Sequence, residues 1–380
     1  MQTFYILALN PGSTSMKMAL YENEKEIYKE SLSYTAEQIA PFAKMKDQLP
    51  MRRKDVQAFL DRMPIDRSQL SAVACRGGVG VPMQAGAYEV NDLLIDRQLN
   101  RPLGQHAGNL AAALGKEVAD ELHIKAYTYD GITVTEMQPL GYPTGFQGII
   151  RQSRCHVLNM RAQLHKEAAQ LGKKPEELNI IMAHMGGGIT MCVFEKGRMV
   201  DVLLDTEGPF TPERSGRVPL NPLALYCSEN DVAPGGLVKL IRGDSGTAKI
   251  LGTNSALAIE KRIDEGDKMA AFMYEAMAYQ VSKGICELSA VLKGTVDRIV
   301  LTGAIAHSQR FTAWVRDRVG FLAPVDILAG DNELESLALG CLRVLRGQES
   351  SHTFTPEEDS WDTTFKLEDV LKDFVPTVLS

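Results

Sequence analysis

The chain has 380 residues and a composition, 44% hydrophobic and 23% charged, that is typical of a soluble globular protein long enough for two domains. Its formal net charge of −7 disfavours a nucleic-acid-binding surface, and no run approaches the roughly 18 apolar residues of a membrane-spanning helix. The N-terminus shows no basic segment followed by an apolar one, so we expect no membrane association and a cytoplasmic protein.

The six cysteines point to a reducing compartment. They are scattered without any Cys-x-x-Cys spacing, and most lie in apolar contexts. This usage predicts buried free thiols rather than a metal site or a disulfide framework.

The first half predicts an antiparallel meander followed by alternating helices and strands. Strands are expected at 3–9, 15–21, 26–32, 72–75 and 126–129, and helical patterns at 36–62 and 104–122. Proline and glycine punctuate residues 138–152, which favours a crossover there. We therefore expect a first domain over residues 1–150.

The second half repeats this plan. Strands are expected at 179–184, 189–194, 198–204 and 298–301, and helices at 159–171, within 256–293 and at 332–346, with a proline-rich loop over 208–222. We expect a second, nucleotide-binding domain over 151–332, with a helix near 333–347 returning to complete the first domain.

Residues 351–380 differ in composition from the rest, with seven acidic and two basic side chains. A small amphipathic docking helix could form from the apolar residues of this segment, which are Trp361, Phe365, Leu367, Val370, Leu371 and Phe374. A flexible or surface-docked acidic tail is the favoured interpretation, and a partner-binding element is the alternative.

Two distant stretches share one layout, an apolar strand followed by a tight polar turn. The first turn covers residues 10–15 (Asn-Pro-Gly-Ser-Thr-Ser), and the second covers 184–188 (His-Met-Gly-Gly-Gly). Such turns expose backbone N–H groups and hydroxyls, which suits them to bind phosphate. Two of them, half a chain apart, predict duplicated domains that bind one nucleotide.

Several ordered motifs resemble those of the butyrate kinases, relatives of acetate kinase within the superfamily of acetate and sugar kinases, heat-shock ATPases and actin. The matching segments are 9–15, 76–78, 106–110, 184–188, 208–216, 278–281 and 337–347. The resemblance runs from residue 3 to about 349, and the strings at 10–15 and 212–216 are specific to the family.

This resemblance implies an α/β protein of two duplicated ribonuclease-H-like, actin-like ATPase domains with the active site in the cleft between them. It also implies ATP or ADP and Mg²⁺, a short-chain carboxylate as acceptor, and a homodimer or higher homo-oligomer. The family reaction is reversible transfer of the ATP γ-phosphate to the carboxylate, which gives an acyl phosphate and ADP.

The chemistry explains which residue types to expect. A carboxylate is already ionised near neutral pH and needs no general base. The obstacle is the meeting of three anionic groups, so catalysis depends on positioning and positive charge. Arg, His and backbone donors are therefore the candidates.

Four residues are assigned to catalysis through the resemblance. Arg214 would clasp phosphoryl or carboxylate oxygens, with a loop-anchoring ion pair as the alternative. Arg76, at a strand end, would contact the acceptor carboxylate or the phosphoryl group. Asp130 would hold Mg²⁺ through water, or merely form a turn before Gly131. His156 would lie near the transferred group.

The remaining candidates bind phosphate, adenosine or metal. Glu333 resembles a family glutamate near the metal, while His106, Asn109 and Lys17 have equally plausible structural roles. The residues assigned to phosphate are Asn10, Gly12, Ser13, Ser15, His184, Gly186, Gly187 and Gly188, and those assigned to adenosine are Gly303, Ala304 and Ile305.

Three departures from the family pattern leave specificity open. Ala304 replaces a glycine that could need a positive φ, His307 replaces a tyrosine, and Thr135 replaces an aspartate. Two rival functions follow: a kinase for another acid such as propionate, isobutyrate or acetate, and a nucleotide-binding paralogue with a regulatory role.

Overall fold

The computed structural model describes residues 2–360, 367–372 and 374. The chain divides into two compact units, the first formed by Met1–Ala162 with Asn332–Ser380 and the second by Gln163–Asp331. The strands are β1 (Tyr5–Gly12), β2 (Ser15–Glu22), β3 (Lys25–Ser33), β4 (Leu70–Arg76), β5 (Ala87–Glu89), β6 (Lys125–Tyr129), β7 (Asn179–Met185), β8 (Ile189–Glu195), β9 (Arg198–Leu203), β10 (Arg298–Gly303), β11 (Val325–Ala329) and β12 (Ser351–Thr353).

The helices lie between and after the strands along the chain. They are α1 (Ala36–Ile39), α2 (Leu49–Arg62), α3 (Asp92–Leu99), α4 (Ala111–Leu122), α5 (Val157–Gln170), α6 (Leu220–Glu229), α7 (Pro234–Ile241), α8 (Gly246–Leu251), α9 (Ala256–Asp264), α10 (Lys268–Ser289), α11 (Gln309–Val319), α12 (Glu333–Leu345), α13 (Pro356–Asp359) and α14 (Leu367–Leu371). Within the described part of the chain, no helix has the length and apolar character needed to cross a membrane.

The two sheets repeat one strand order. The first reads β12-β5-β6-β4-β1-β2-β3 and the second β11-β10-β7-β8-β9, so β3-β2-β1-β4-β6 corresponds to β9-β8-β7-β10-β11. In each set three antiparallel strands lead into two parallel ones. The predicted duplication and the actin-like α/β fold class are confirmed.

Residues 6–9 of the interior strand β1 are apolar because helices cover both of its faces. Successive side chains point to opposite faces of a strand. Leu7 and Leu9 accordingly pack into one cluster with α2 and α4. Ile6 and Ala8 pack into another with α12.

The predicted helix over 36–62 is divided into α1 and α2. Proline cannot occupy a helix interior without losing a hydrogen bond, and Pro50 instead lies in the first turn of α2. The loop expected over 208–222 ends at Pro219, where α6 begins. The helices α6, α7 and α8 were not predicted, and neither α6 nor α7 contains a buried residue.

The first unit extends beyond the expected limit at residue 150 to Ala162. The reason lies in α5, whose Leu158 is buried with Leu334 and Leu337 of α12 against the first sheet. The helix expected near 333–347 is α12, and it lies in the first unit.

The first ten residues of the predicted tail are built into the first unit. The strand β12 pairs in parallel with β5. Phe354 is buried against Val81 and Leu94, and the Tyr88 hydroxyl donates to Glu358 Oε1 at 2.8 Å. Trp361 and Phe365 of the proposed docking helix lie outside the described residues.

Candidate functional site

Polar side chains meet where β1 and β4 end in the first unit. These strands are parallel neighbours, so their C-terminal ends share one edge of the sheet. Asn10 lies near the end of β1, Arg76 ends β4, and Glu333 is the first residue of α12. Arg76 Nη2 is 3.1 Å from Glu333 Oε1, and Asn10 Nδ2 donates to Glu333 Oε2 at 2.6 Å.

Glu333 is ionised although its side chain is only 30% exposed. Burial acts to raise the pKa of Glu333, but Arg76, the Asn10 amide, Lys17 and His156 together hold it below its usual value. Lys17 lies on β2 directly opposite Asn10. We call Asn10, Lys17, Arg76, His156 and Glu333 the Glu333 cluster.

His106 adds a neutral donor beside this cluster. Its Nδ1 accepts a hydrogen bond from the Gly108 N–H at 3.0 Å. Burial and the positive charge of Arg76 lower the pKa of His106. The imidazole is therefore uncharged near pH 7 and carries its proton on Nε2.

Asn109, by contrast, has a structural role. Its Oδ1 accepts from the Val79 N–H at 2.8 Å, and its Nδ2 donates to the carbonyls of Gln98 and Gly104, both at 3.1 Å. The side chain is 3% exposed and ties the last turn of α3 to the loop segments at Val79 and Gly104.

The turn between β1 and β2 is held from beneath by a residue that sequence reasoning missed. Arg52 of α2 is fully buried and donates to the Gly12 carbonyl at 2.8 Å and the Ser15 carbonyl at 2.7 Å. Its Nε and Nη2 also donate to Gln48 Oε1 at 3.1 and 2.8 Å. Its guanidinium lies 4.8 Å from the centre of the Tyr34 ring.

These contacts organise the turn for an anion. In a trans peptide the N–H of the next residue points away from the carbonyl. Because the Gly12 carbonyl points at Arg52, the Ser13 N–H points to the opposite side. Ser13 is itself exposed, and a buried positive charge beneath such a turn favours negative charge above it.

Asp130 lies in a different environment from the one expected of it. Its side chain is fully buried, with Oδ1 accepting from the Gly86 N–H at 2.8 Å and Oδ2 from Arg161 Nε at 3.0 Å. Burial raises the pKa of Asp130 to about 6. Its side chain is 0% exposed, which does not fit a carboxylate that holds Mg²⁺ through water.

Asp130 instead belongs to a buried network. Arg161 Nη2 is 3.4 Å from Glu349 Oε1, and Arg343 Nε is 3.0 Å from Glu349 Oε2. The Tyr129 hydroxyl accepts from Arg343 Nη2 at 2.6 Å and donates to Glu349 Oε2 at 2.5 Å. The network joins β6, α5 and α12.

In the second unit the glycine turn, residues 184–188, is tied to the loop that carries Arg214. Gly187 O accepts from the Thr211 hydroxyl at 2.6 Å and from the Glu213 N–H at 3.0 Å. His184 lies near the end of β7 and is 4% exposed. Its Nε2 is 3.9 Å from Asp331 Oδ2. The structure thus brings His184, the glycines and Arg214 into one region of this unit.

Arg214 forms an ion pair beside the loop that carries it. Its Nε is 3.2 Å from Asp205 Oδ2, and its Nη1 donates to the Glu213 carbonyl at 2.9 Å. Arg242 Nη2 shares the same aspartate, 2.9 Å from Oδ1. The loop-anchoring alternative therefore describes a real contact, while 25% of the Arg214 side chain stays exposed.

The expected adenosine loop places its strain at Gly303 and not at Ala304. Gly303 has φ of +86°, and a Cβ there would lie 2.5 Å from the Met185 carbonyl oxygen. Ala304 opens a short 3-10 helix, is exposed and is outside the positive-φ residues. The departure at Ala304 therefore introduces no backbone strain. Ile305, 3% exposed, packs into the core of the second unit.

A metal site made only of protein groups is not found in the described residues, where no three His, Cys, Asp or Glu side chains gather as ligands. Mg²⁺ in kinases is commonly held by one or two carboxylates together with substrate phosphates. Glu333, ionised and partly exposed, fits that use, whereas Asp130 does not.

Comparison with known proteins gives one family and a consistent set of structures. Residues 148–332 match the acetokinase family. The acetate kinase of Porphyromonas gingivalis is 20% identical with a TM-score of 0.74, covering 90% of this chain and 100% of its own. The acetate kinase of Entamoeba histolytica is 15% identical with a TM-score of 0.70, and the match covers 88% of this chain and 98% of that one. A propionate kinase from Francisella tularensis is also 15% identical, with a TM-score of 0.68, and the match covers 89% of this chain and 98% of that one. At these identities the structures establish the fold.

Proposed function

We propose that the chain is a carboxylate kinase, because its residues 148–332 match the acetokinase family. It transfers the γ-phosphoryl group of ATP reversibly to the carboxylate of a short-chain acid, with butyrate as the first candidate. The observation that carries this proposal is the Glu333 cluster, which places Arg76, Lys17 and an ionised carboxylate at one strand edge.

The reaction needs no proton transfer. A carboxylate oxygen of the acid forms a bond to the γ-phosphorus as the bond from that phosphorus to the ADP oxygen breaks, and ADP leaves with the electron pair. Arg76 and the Nε2–H of His106 donate to the acid or to the transferred group. Arg214 supplies a further positive charge, and such charges stabilise the anionic transition state.

The nucleotide contacts divide between two turns. Ser13 and Ser15 donate to phosphate oxygens above the buried charge of Arg52, with Asn10 held in place by Glu333. The glycine turn offers backbone N–H groups, and its His184 adds a donor. Residues 303–305 receive the adenosine.

The metal role falls to Glu333 in this proposal. A bound Mg²⁺ neutralises phosphate charge in such reactions. Glu333 is the residue of the cluster that would hold it, while Asp130 holds the buried network together.

A second candidate is the same reaction on propionate, acetate or isobutyrate. It is favoured by the solved structures of similar fold, which are named acetate and propionate kinases. The regulatory paralogue has less support, because the charged candidates Arg76, Arg214, His156 and Glu333 are all present.

One assay separates these functions. The purified chain is incubated with ATP, Mg²⁺ and each acid of a C2 to C6 panel that includes isobutyrate, in the presence of hydroxylamine, which converts acyl phosphates to coloured hydroxamates. We expect product with at least one acid. Measurable ATP binding without product from any acid would overturn the kinase and favour the regulatory paralogue.

A further inference from the structure

The end of the chain packs against the loop that leaves Arg76. We call residues 349–359, which include β12 and α13, the strap. We call residues 77–86 the glycine loop, because four of its ten residues are glycine. The loop starts directly after Arg76 and ends where β5 begins. Glycine leaves the backbone unusually free, so contacts from elsewhere must fix the conformation of such a loop.

The register of the first sheet connects the strap with Arg76. Arg76 of β4 pairs with Tyr129 of β6, which also pairs with Ala87 of β5. Ala87 pairs in turn with Ser351 of β12. Neighbouring strands lie about 4.8 Å apart, so three such steps place Ser351 about 14 Å from Arg76. The strand β12 thereby covers the edge of β5, the three-residue strand that receives the end of the glycine loop.

An aromatic ring of the strap closes a small apolar cluster with the glycine loop. Phe354 is 2% exposed and packs with Val81 of the loop, Tyr88 of β5 and Leu94 of α3. These four buried residues form a cluster of their own, separate from the cores on the two faces of the first sheet. Because an aromatic side chain buries a large area, loss of the Phe354 ring would remove much of what holds this cluster together.

Polar contacts join the same two segments. The Tyr88 hydroxyl accepts from the Gln84 N–H at 3.1 Å and donates to Glu358 Oε1 at 2.8 Å. This hydroxyl therefore bridges the glycine loop and the strap. In addition, His352 Nε2 lies 3.2 Å from the Ala85 carbonyl oxygen. The end of the glycine loop is thus held to the strap by hydrogen bonds as well as by apolar packing.

The start of the glycine loop lies against both groups that we propose to contact the acid. Gly77 directly follows Arg76 in the chain. A Cβ on Gly108 would lie 3.0 Å from the Gly77 carbonyl oxygen and 2.9 Å from His106 Nδ1. The loop therefore packs on the residue whose N–H donates to His106. A shift of the glycine loop would displace Arg76 and His106 together.

We propose that the strap, by holding the glycine loop, positions Arg76 and His106 for the acid substrate. Phe354 and Tyr88 are its positioning residues, and they act through the loop without touching substrate. The inference rests on the proposed carboxylate kinase function and deepens it. It adds to that function a segment that begins where the family resemblance ends.

The test uses two variants of the full chain, each with a matched control. Phe354→Ala removes the buried ring of the strap, and Phe59→Ala removes a similarly buried ring of α2 in the same unit. Tyr88→Phe removes the bridging hydroxyl, and Tyr28→Phe removes a β3 hydroxyl that donates to Glu30. Because Tyr88→Phe keeps its ring in the cluster, it decides the question even if Phe354→Ala does not fold.

The readouts are KM for ATP and KM for the best acid of the C2 to C6 panel. Phe354→Ala should raise KM for the acid about tenfold, since displacement of a positioned group by about 1 Å can cost about 10²-fold. Tyr88→Phe should raise it about threefold, the effect of one hydrogen bond of modest net strength. KM for ATP should stay at the wild-type value, because Arg52 holds the phosphate turn independently. The controls should keep both values.

Two kinetic results would overturn the inference. One is an unchanged KM for the acid in either folded variant. The other is an equal rise in KM for the acid and for ATP, because general destabilisation of the unit would affect both substrates alike.

Hydrogen exchange separates the inference from the proposed function. Amide exchange in residues 77–86 is measured by mass spectrometry in the full chain without substrates, where it reports local opening. We expect faster exchange in Phe354→Ala and Tyr88→Phe than in wild type, and no change in the two controls. If no acid gives product, the kinase proposal fails, while faster exchange still supports the hold of the strap on the loop. Exchange at the wild-type rate in both variants would overturn the strap whatever the kinetic assay shows.

Discussion

Arg76 and Glu333 form an ion pair, with Arg76 Nη2 3.1 Å from Glu333 Oε1, although one ends β4 and the other begins α12 after the whole second unit. The pair is reinforced by Asn10, which donates to the other carboxylate oxygen. This contact makes Glu333 the first residue to test.

Glu333→Gln should lower kcat by about 10²-fold, since one misplaced group that stabilises transition-state charge has an effect of that order. It should also weaken the dependence of the rate on Mg²⁺. Glu335→Gln is the control, because Glu335 lies in the same first turn of α12 but is exposed. A Glu333→Gln enzyme with the kcat and Mg²⁺ dependence of the control would contradict the assignment.

Arg214 and Arg242 offer a matched comparison because both contact Asp205. If Arg214 acts on the transferred group, Arg214→Lys should reduce kcat by about 10²- to 10³-fold with little change in KM for ATP. Arg242→Lys should leave kcat within about twofold, as expected of a partly exposed ion pair. Equal losses in the two variants would assign Arg214 to loop anchoring alone.

Arg52 is expected to act by positioning the phosphate turn. Arg52→Lys keeps the charge but cannot reach the Gly12 and Ser15 carbonyls and Gln48 together. Loss of one charged hydrogen bond, about 1.5 kcal/mol, predicts roughly a tenfold rise in KM for ATP with a smaller change in kcat. Arg53→Lys, at the neighbouring exposed position paired with Glu117, should behave as wild type. An unchanged KM for ATP in Arg52→Lys would contradict the positioning role of Arg52.

The buried Asp130 predicts a pH dependence of stability. Burial raises the pKa of Asp130 in the folded chain to about 6, whereas an aspartate in the unfolded chain has a pKa of about 4. Between these two pH values the folded chain therefore holds more protons than the unfolded chain. The free energy of unfolding therefore falls as pH rises from about 4 to about 6 and stays constant above pH 6. The total fall is at most about 3 kcal/mol. Urea midpoints should show this component in wild type and in the exposed control Asp92→Asn, and lack it in Asp130→Asn. An identical pH profile in all three proteins would be the contrary result.

The Gly303→Ala exchange should lower stability more than the Ala304→Gly exchange. Gly303→Ala forces a Cβ to within 2.5 Å of the Met185 carbonyl at a φ of +86°, and such strain amounts to about 1–3 kcal/mol or more. Ala304→Gly changes an exposed residue in helical backbone and should cost at most about 1 kcal/mol. Thermal unfolding and ADP titration of both variants provide the measurement. A lower ADP affinity in Gly303→Ala without a change in stability would point to nucleotide contact instead of strain.

The repeated meanders were predictable because their signal is local. In β1–β3 and β7–β9, apolar runs are separated by short polar turns, and each turn can be recognised from its residues. The helices α6 and α7 carry no buried residues, so the spacing of their apolar side chains gives no core-facing pattern to detect. The strand β12 has only three residues and gains its identity from pairing with β5.

Three of the candidate residues named from the sequence, Arg76, Asn10 and Glu333, lie in contact, and the roles given to them stay predictions. Arg52 was missed because it stands in a run of three basic residues that reads as a solvated helix face. Its partners are backbone carbonyls, which no side-chain pattern can reveal. The same limit applies to Asp130, whose partner Arg161 lies in a helix assigned to the other domain.

The return of α12 to the first unit has a consequence for how the protein is made. A nascent chain of 162 residues already holds β1 to β6, but the α12 side chains Leu334, Leu337 and Cys341 that cover Ile6 and Ala8 do not yet exist. Until synthesis passes Glu333, Arg76 has no carboxylate partner and one apolar face of the first sheet stays uncovered. The first unit is thus begun first and completed last, after the ribosome has finished the second.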